Sequence, residues 1–267
     1  MNKQSIERLL DDCDSDEPTR QAGAILDLVD AEIYEAAPTI VRLLNSPDAA
    51  IRFTASEALG YLGSEEVETV GPALMNLLDD EEELVRSEAV EALGDIDYTP
   101  AVVPIQYILR NDPSALVRAS AAETLGYLEE ASAIETLELS LLDCNEDEAV
   151  RCYAANSIGL LGTPQLLPKL ENYLNSELPL SVKAELMGAR YWLGTKEDIT
   201  KLVDLLDKAD EDFAQHILTI LTDLTEREPA PNIAKDAPDL DKILSAIALR
   251  FPLMRHQAEE ILAQSIN

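Results

Sequence analysis

Residues 38–63 read PTIVRLLNSPDAAIRFTASEALGYLG, and the chain returns to this stretch again and again. PALMNLLDDEEELVRSEAVEALG begins at Pro72, PIQYILRNDPSALVRASAAETLG at Pro104, and a weaker copy, LELSLLDCNEDEAVRCYAANSIGLLG, at Leu137. Aligned on one basic residue, the copies give Arg20, Arg52, Arg86, Arg118, Arg151 and Lys183, at spacings of 32, 34, 32, 33 and 32. A fixed period of this length is the signature of stacked helical hairpins. The pattern predicts an all-α protein, a right-handed α–α superhelix of about seven or eight hairpins.

Each repeat carries two apolar runs at helical spacing with an acidic connection between them. Pro38, Pro72 and Pro104, each fourteen residues before the anchor, are expected at the first helical position, where no intrahelical N–H bond is lost. Nine before the anchor stands a row of leucines, Leu43, Leu77, Leu109, Leu142 and Leu174. In the second helix, Val85, Ala89, Val90 and Leu93 share one face around Arg86, a stripe that must be buried. Two short helices cannot bury it alone, so neighbouring repeats share a core. Gly60, Gly94, Gly126 and Gly159, eight after the anchor, allow close helix approach or a left-handed helix end. They are single glycines without a preceding strand, so a phosphate loop is not indicated.

The anchors have a structural reading. Six before them stand Asp14, Ser46, Asp80, Asp112, Asn145 and Glu177. A charge at a stacking interface must be paired, and a ladder of guanidinium–carboxylate contacts through Arg20, Arg52, Arg86, Arg118, Arg151 and Lys183 satisfies that need.

The units D…VR..AA.ALG.LG resemble HEAT repeats and, more narrowly, the HEAT-like repeats of the phycobilisome (bilin) lyase family. The resemblance spans residues 17–224 and is strongest around Arg52, Arg86, Arg118 and Arg151. It implies the superhelix. For function it implies bilin attachment or removal on phycobiliproteins, degradation of phycobilisomes, or binding to iron–sulfur assembly scaffolds. The repeat motif is structural, so it transfers no catalytic residue.

The chain of 267 residues carries 52 acidic and 20 basic side chains, a formal charge of −32. That field repels nucleic-acid backbones and argues against the basic-grooved alkylpurine glycosylases of the same architecture. It suits solubility, salt adaptation (only eight lysines are present) or the steering of a basic protein partner. No apolar run approaches the ~20 residues of a membrane span, and the first residues lack a secretory signal's apolar centre. The expectation is a cytoplasmic protein without membrane insertion. Cys13, Cys144 and Cys152 give no disulfide framework. Cys144 and Cys152 fall in one repeat, and a thiol relay to an iron–sulfur carrier is the functional alternative to two ordinary small residues.

Along the chain, residues 1–12 and 19–29 form an atypical opening hairpin, and regular repeats continue to 224. Residues 225–240, with EREPAPNIAKDAP, read as an exposed Pro-rich connection or a hinge that holds a partner. Residues 241–267 form capping helices, split at Phe251–Pro252. The whole, 1–267, is expected to be one solenoid.

Chemistry is sparse. His216 and His256 are the only histidines, and neither precedes a glutamate, so the paired ligands of HEAT-type di-iron hydroxylases are missing. No Gly-x-Ser-x-Gly elbow occurs. No catalytic residue, metal site or resident cofactor is assigned, with phycobilin the one exception if the lyase alternative holds. What remains is a stripe on the second helices that the core leaves unclaimed. Two, five and nine after the anchors it presents Glu57, Tyr61, Glu88, Glu91, Asp95, Glu123, Tyr127, Tyr153, Asn156, Glu185 and Trp192. In right-handed stacks the second helices line the concave side, where aromatics anchor and glutamates select basic partners. The reading is a non-enzymatic scaffold or adaptor. The alternatives are a bilin-lyase subunit or chaperone, and an acidic mimic occupying another protein's nucleic-acid site. The plain structural alternative is a solvated face with the tyrosines packed against the next turn.

Overall fold

The computed structural model describes residues 1–265, which form α-helices and short 3-10 turns and contain no strand among the described residues. The helices run in hairpins: α1 (Lys3–Cys13) with α2 (Pro18–Asp30), α3 (Ala37–Leu43) with α4 (Ala49–Leu62), α5 (Val67–Met75) with α6 (Glu83–Asp95), and α7 (Val102–Asn111) with α8 (Ala115–Tyr127). Next come α9 (Ile134–Leu142) and α10 (Glu148–Leu161), α11 (Leu167–Leu174) and α12 (Leu180–Trp192), and α13 (Glu197–Lys208) and α14 (Glu211–Glu226). The short α15 (Ile233–Asp236) precedes a last pair, α16 (Leu240–Arg250) and α17 (Arg255–Gln264). The expected end of that pair at Ile266 lies outside the described residues. The architecture is the HEAT-like solenoid of helical hairpins that the period demands.

Packing divides these hairpins into two compact units, residues 1–140 and 141–267, with the boundary inside α9. In the N-terminal unit the second helices α4, α6 and α8 lie side by side, each backed by its own first helix. Buried Ala55, Leu59, Ala89, Leu93, Ala121 and Leu125 form the shared layer. In the C-terminal unit α10, α12 and α14 repeat the arrangement, and Ile199, Leu202, Leu206, Ile217, Leu221, Ile243 and Leu244 extend the core into the last helices.

Local details correct several sequence readings. Pro38 is the second residue of α3 and Pro104 the third of α7, but Pro72 sits inside α5. Elsewhere a 3-10 turn (Tyr34–Ala36, Thr99–Ala101, Ala131–Ala133, Pro164–Leu166) occupies the chain just before the first helix. In the third repeat α-helix starts early instead, and the irregularity moves to a 3-10 segment at Asn76–Asp79. The repeat glycines are helical, not left-handed. Gly94 lets the Thr124 methyl approach, since an added Cβ would lie 2.8 Å from it, and Gly159 lies against Ala189 in the same way. The left-handed positions fall beyond the helix ends, at Glu32, Asp97, Glu129 and Gly194. The leucine row breaks at Leu142, which is 44% exposed while Leu141 is fully buried.

The 225–240 connection is only partly exposed. Ile233, Ala237 and Leu240 are buried in the C-terminal core, and Asp236 accepts hydrogen bonds from Tyr191 Oη (3.1 Å) and Lys196 Nζ (3.0 Å). The Pro-rich sequence marks the bend, and its interspersed apolar residues fasten it down. All three cysteines are free: Cys144 is exposed, whereas Cys13 and Cys152 are buried. Burial and the nearby Glu185 push the Cys152 thiol up to about 12. That setting is the opposite of one that activates a thiol.

Candidate functional site

The anchor residues are best understood first, because they hold the second helices in register. Arg52 donates from Nε and Nη2 to both carboxylate oxygens of Asp80 in the following repeat (2.7 and 2.8 Å), and from Nη1 to the Ser46 carbonyl of its own turn (2.9 Å). Arg86 does the same with Asp112 (2.8 and 3.1 Å) and the Asp80 carbonyl (2.7 Å). Arg118 holds the Asp112 carbonyl at 2.7 Å. Arg52 and Arg86 therefore close their own interhelix turns and clip them to the next, and Arg118 closes its own. Burial disfavours the Asp80 charge, but the Arg52 hydrogen bonds and the Glu82 backbone N–H outweigh it and lower its pKa. The ladder does not run the whole length. Arg20 pairs with Asp12 in its own hairpin, and Asp14 pairs with Arg42. Arg151 donates to the Leu141 carbonyl at 3.0 Å, and Lys183, with its shorter reach of a single ammonium, makes no ion pair among the described residues.

The second-helix stripe resolves into two places of different character. In the N-terminal unit, Glu91, Asp95 and Asp97 from α6 and its C-terminal turn face Glu123, Thr124 and Tyr127 from α8 across an open cleft of about 460 Å³. Among the described residues that line it none is cationic. Ser120, buried between the helices, donates to Glu91 Oε1 at 2.6 Å and lies 2.7 Å from Ser87 Oγ, which fixes the Glu91 carboxylate at the cleft wall. Glu88, half-buried, is pushed up to about 7 by burial and then by Glu91, Glu57 and Asp95. Burial, Glu91 and Asp97 raise Asp95 as well. Like charges this close disfavour one another's ionisation. Tyr127 is 58% exposed and Tyr61, at the end of α4, is 64% exposed.

In the C-terminal unit the stripe is covered. Glu185, expected on the surface, is buried; its carboxyl lies 3.5 Å from His216 Nε2 and is pushed up to about 8 by burial and Asp223, with Arg227 opposing. Trp192, expected as an open anchor, is half-buried, with the Arg227 guanidinium 5.2 Å from its ring centroid. Arg227 Nη2 donates to Asn156 Oδ1 (2.8 Å), and Asn156 Nδ2 donates to Asp223 Oδ2 (3.1 Å). Tyr153 on α10 stays partly exposed. Offset alone does not decide this: two after the anchor Ser120 and Glu185 are buried, Glu88 is half-buried and Tyr153 is exposed, and Glu185 is covered because His216 and Asp223 of α14 lie beside it. Sequence reasoning missed Asp97, His216, Asp223 and Arg227 as members of these clusters. Arg227 lies beyond the last regular repeat, where no register could assign it a neighbour.

Among the described residues no group of three His, Cys, Asp or Glu side chains is arranged to hold a metal ion, and no helix is long and apolar enough to cross a membrane. Models of HEAT repeats match residues 102–189 and 139–222, and a HEAT repeat model matches 70–97, together more than half of the chain. The chain belongs to the HEAT-repeat family. Among solved structures it is similar to the complex of CpcE and CpcF, the phycocyanin lyase of Nostoc sp., with 21% identity over 86% of this chain and 93% of that one and a TM-score of 0.56. It is also similar to YibA of Escherichia coli, with 17% identity over 99% of this chain and 92% of that one and a TM-score of 0.52. At these identities the likeness is one of fold. A search of curated sequences gave no match.

Proposed function

We propose that this protein is a non-enzymatic adaptor of the cytoplasm, docking a basic segment of another protein on the acidic second-helix face of its N-terminal unit. One observation carries the reading: the cleft between α6 and α8 gathers Glu91, Asp95, Asp97, Glu123 and Tyr127, and none of the described residues that line it is cationic. A cationic segment entering it favours the carboxylate form of Asp95, which burial and then Glu91 and Asp97 disfavour, and an exposed tyrosine offers anchor area. The test is affinity capture on the immobilised full chain followed by mass spectrometry, at low and high salt. The expected proteins present basic segments, are retained at low salt and are lost when the screening length falls from ~10 Å at 0.1 M to ~3 Å at 1 M. Glu91→Gln with Glu123→Gln abolishes their capture, while Glu65→Gln with Glu68→Gln, on the exposed start of the α5 hairpin, does not. Capture indifferent to salt and to the cleft variant overturns the reading.

A second reading is supported by the likeness to the phycocyanin lyase complex, itself an assembly of two proteins. Here the chain is a subunit or chaperone of phycobilin attachment or removal, and phycobilin is its cargo. Mixing the protein with phycocyanobilin, with and without an apo-biliprotein, decides it by the visible spectrum. No spectral change in any mixture removes it.

A further inference from the structure

We infer that the cleft between α6 and α8 is a clamp for an arginine side chain of the partner, with the guanidinium lying on the Tyr127 ring and held by Glu91. This deepens the adaptor reading and rests on it.

The chain shows in its own C-terminal unit what such a face takes. Arg227 lies over Trp192, at 5.2 Å from the ring centroid, and hydrogen-bonds Asn156 at 2.8 Å. Trp192 is nine residues after the anchor Lys183, and Asn156 is five after the anchor of the preceding repeat, Arg151. Tyr127 is nine after Arg118, and Glu91 is five after the preceding anchor, Arg86. The aromatic and the polar group that receive Arg227 therefore have register equivalents in Tyr127 and Glu91, and both of these line the cleft. Two differences sharpen the expectation. Glu91 is a carboxylate where Asn156 is an amide, so its hydrogen bonds to a guanidinium are charge-assisted. None of the described residues lining the cleft is cationic, whereas Arg227 lies in the C-terminal site.

The geometry selects arginine over lysine. A planar guanidinium stacks on an aromatic face and still directs N–H groups in its own plane at a carboxylate; an ammonium is a strongly hydrated point charge that does one or the other less well. Ser120, by holding Glu91 Oε1, keeps that carboxylate on the cleft wall before a ligand arrives.

The test uses a fluorescein-labelled oligo(Gly-Arg-Gly) peptide and a lysine counterpart of equal length and charge, titrated against the full chain at low salt by fluorescence anisotropy. The arginine peptide is expected to bind about fivefold tighter. Tyr127→Ala, an exposed position, erases that preference while the lysine peptide still binds, and Tyr127→Phe, which keeps the ring face, preserves it. Equal affinities, or a preference that survives Tyr127→Ala, overturn the clamp and leave the acidic docking face standing, provided Glu91→Gln with Glu123→Gln abolishes both peptides. If neither peptide binds, the clamp and the docking face fail together.

Discussion

With its carboxyl enclosed beside Asp223 and His216 and pushed up to about 8, Glu185 holds a proton at neutral pH in the folded chain. In the unfolded chain, with the ordinary value of 4.5, it does not. A raised acid pKa means that the native state binds more protons, so this group's contribution is complete below 4.5 and is lost as pH rises to about 8. The loss is on the order of 5 kcal/mol. Glu185→Gln keeps the shape without the charge, so urea unfolding from pH 5 to 9 should show the variant gaining on the wild type steadily with pH. Parallel curves would contradict the assignment. Asp80 acts in the other sense. Its lowered pKa gives stability that is present at neutral pH and is lost as pH falls through the acidic range. Glu129, at φ 55°, is strained as a side-chain-bearing residue in the left-handed region. Glu129→Gly should stabilise the fold by about 1 kcal/mol, read as a raised urea midpoint at unchanged slope.

At the scale of elements, stacking depends on how closely the second helices approach and on how the interhelix turns are tied. A methyl at Gly159 would meet the Ala189 Cβ at 2.6 Å and its Cα at 2.9 Å, and backbone cannot step aside. Gly159→Ala should therefore destabilise by about 2–3 kcal/mol. Gly23 in α2 has nothing within 4 Å, and Gly23→Ala should stabilise by about 0.5–1 kcal/mol through helix propensity alone. Asp112→Ala strands Arg86 at a turn that is nearly buried and should cost about 2–4 kcal/mol. Much of this was legible in the chain. The period located the hairpins, and the offsets of five and nine brought Glu91, Asp95, Glu123 and Tyr127 to one cleft. What escaped has identifiable causes. Leu141 and Leu142 are the same residue type, so no pattern could show that the buried position slips by one in α9. Glu185 has the composition of a surface residue, and only its distance from Asp223, a residue of α14, reveals its burial. Arg227 follows the repeats in a Pro-rich stretch that reads as solvent-exposed, yet α14 delivers it to Trp192.

Across the whole molecule, the charge of −32 opposes compaction and favours cationic partners at once. Screening should relieve the repulsion, so the thermal midpoint rises with sodium chloride from 0.01 to 1 M, where the Debye length falls from ~30 to ~3 Å. Over the same range affinity for a basic segment falls. The opposite signs of these two salt dependences distinguish a fold strained by its own field from one held by surface ion pairs. The central claim is that stacked hairpins present the α6–α8 face for a basic partner. Amide chemical-shift mapping on the full, isotope-labelled chain with an oligo-arginine peptide tests it most directly. The account predicts that shifts concentrate at residues 91–97 and 123–127. Shifts gathered instead on the first helices, around Val103 and Tyr107, would contradict it.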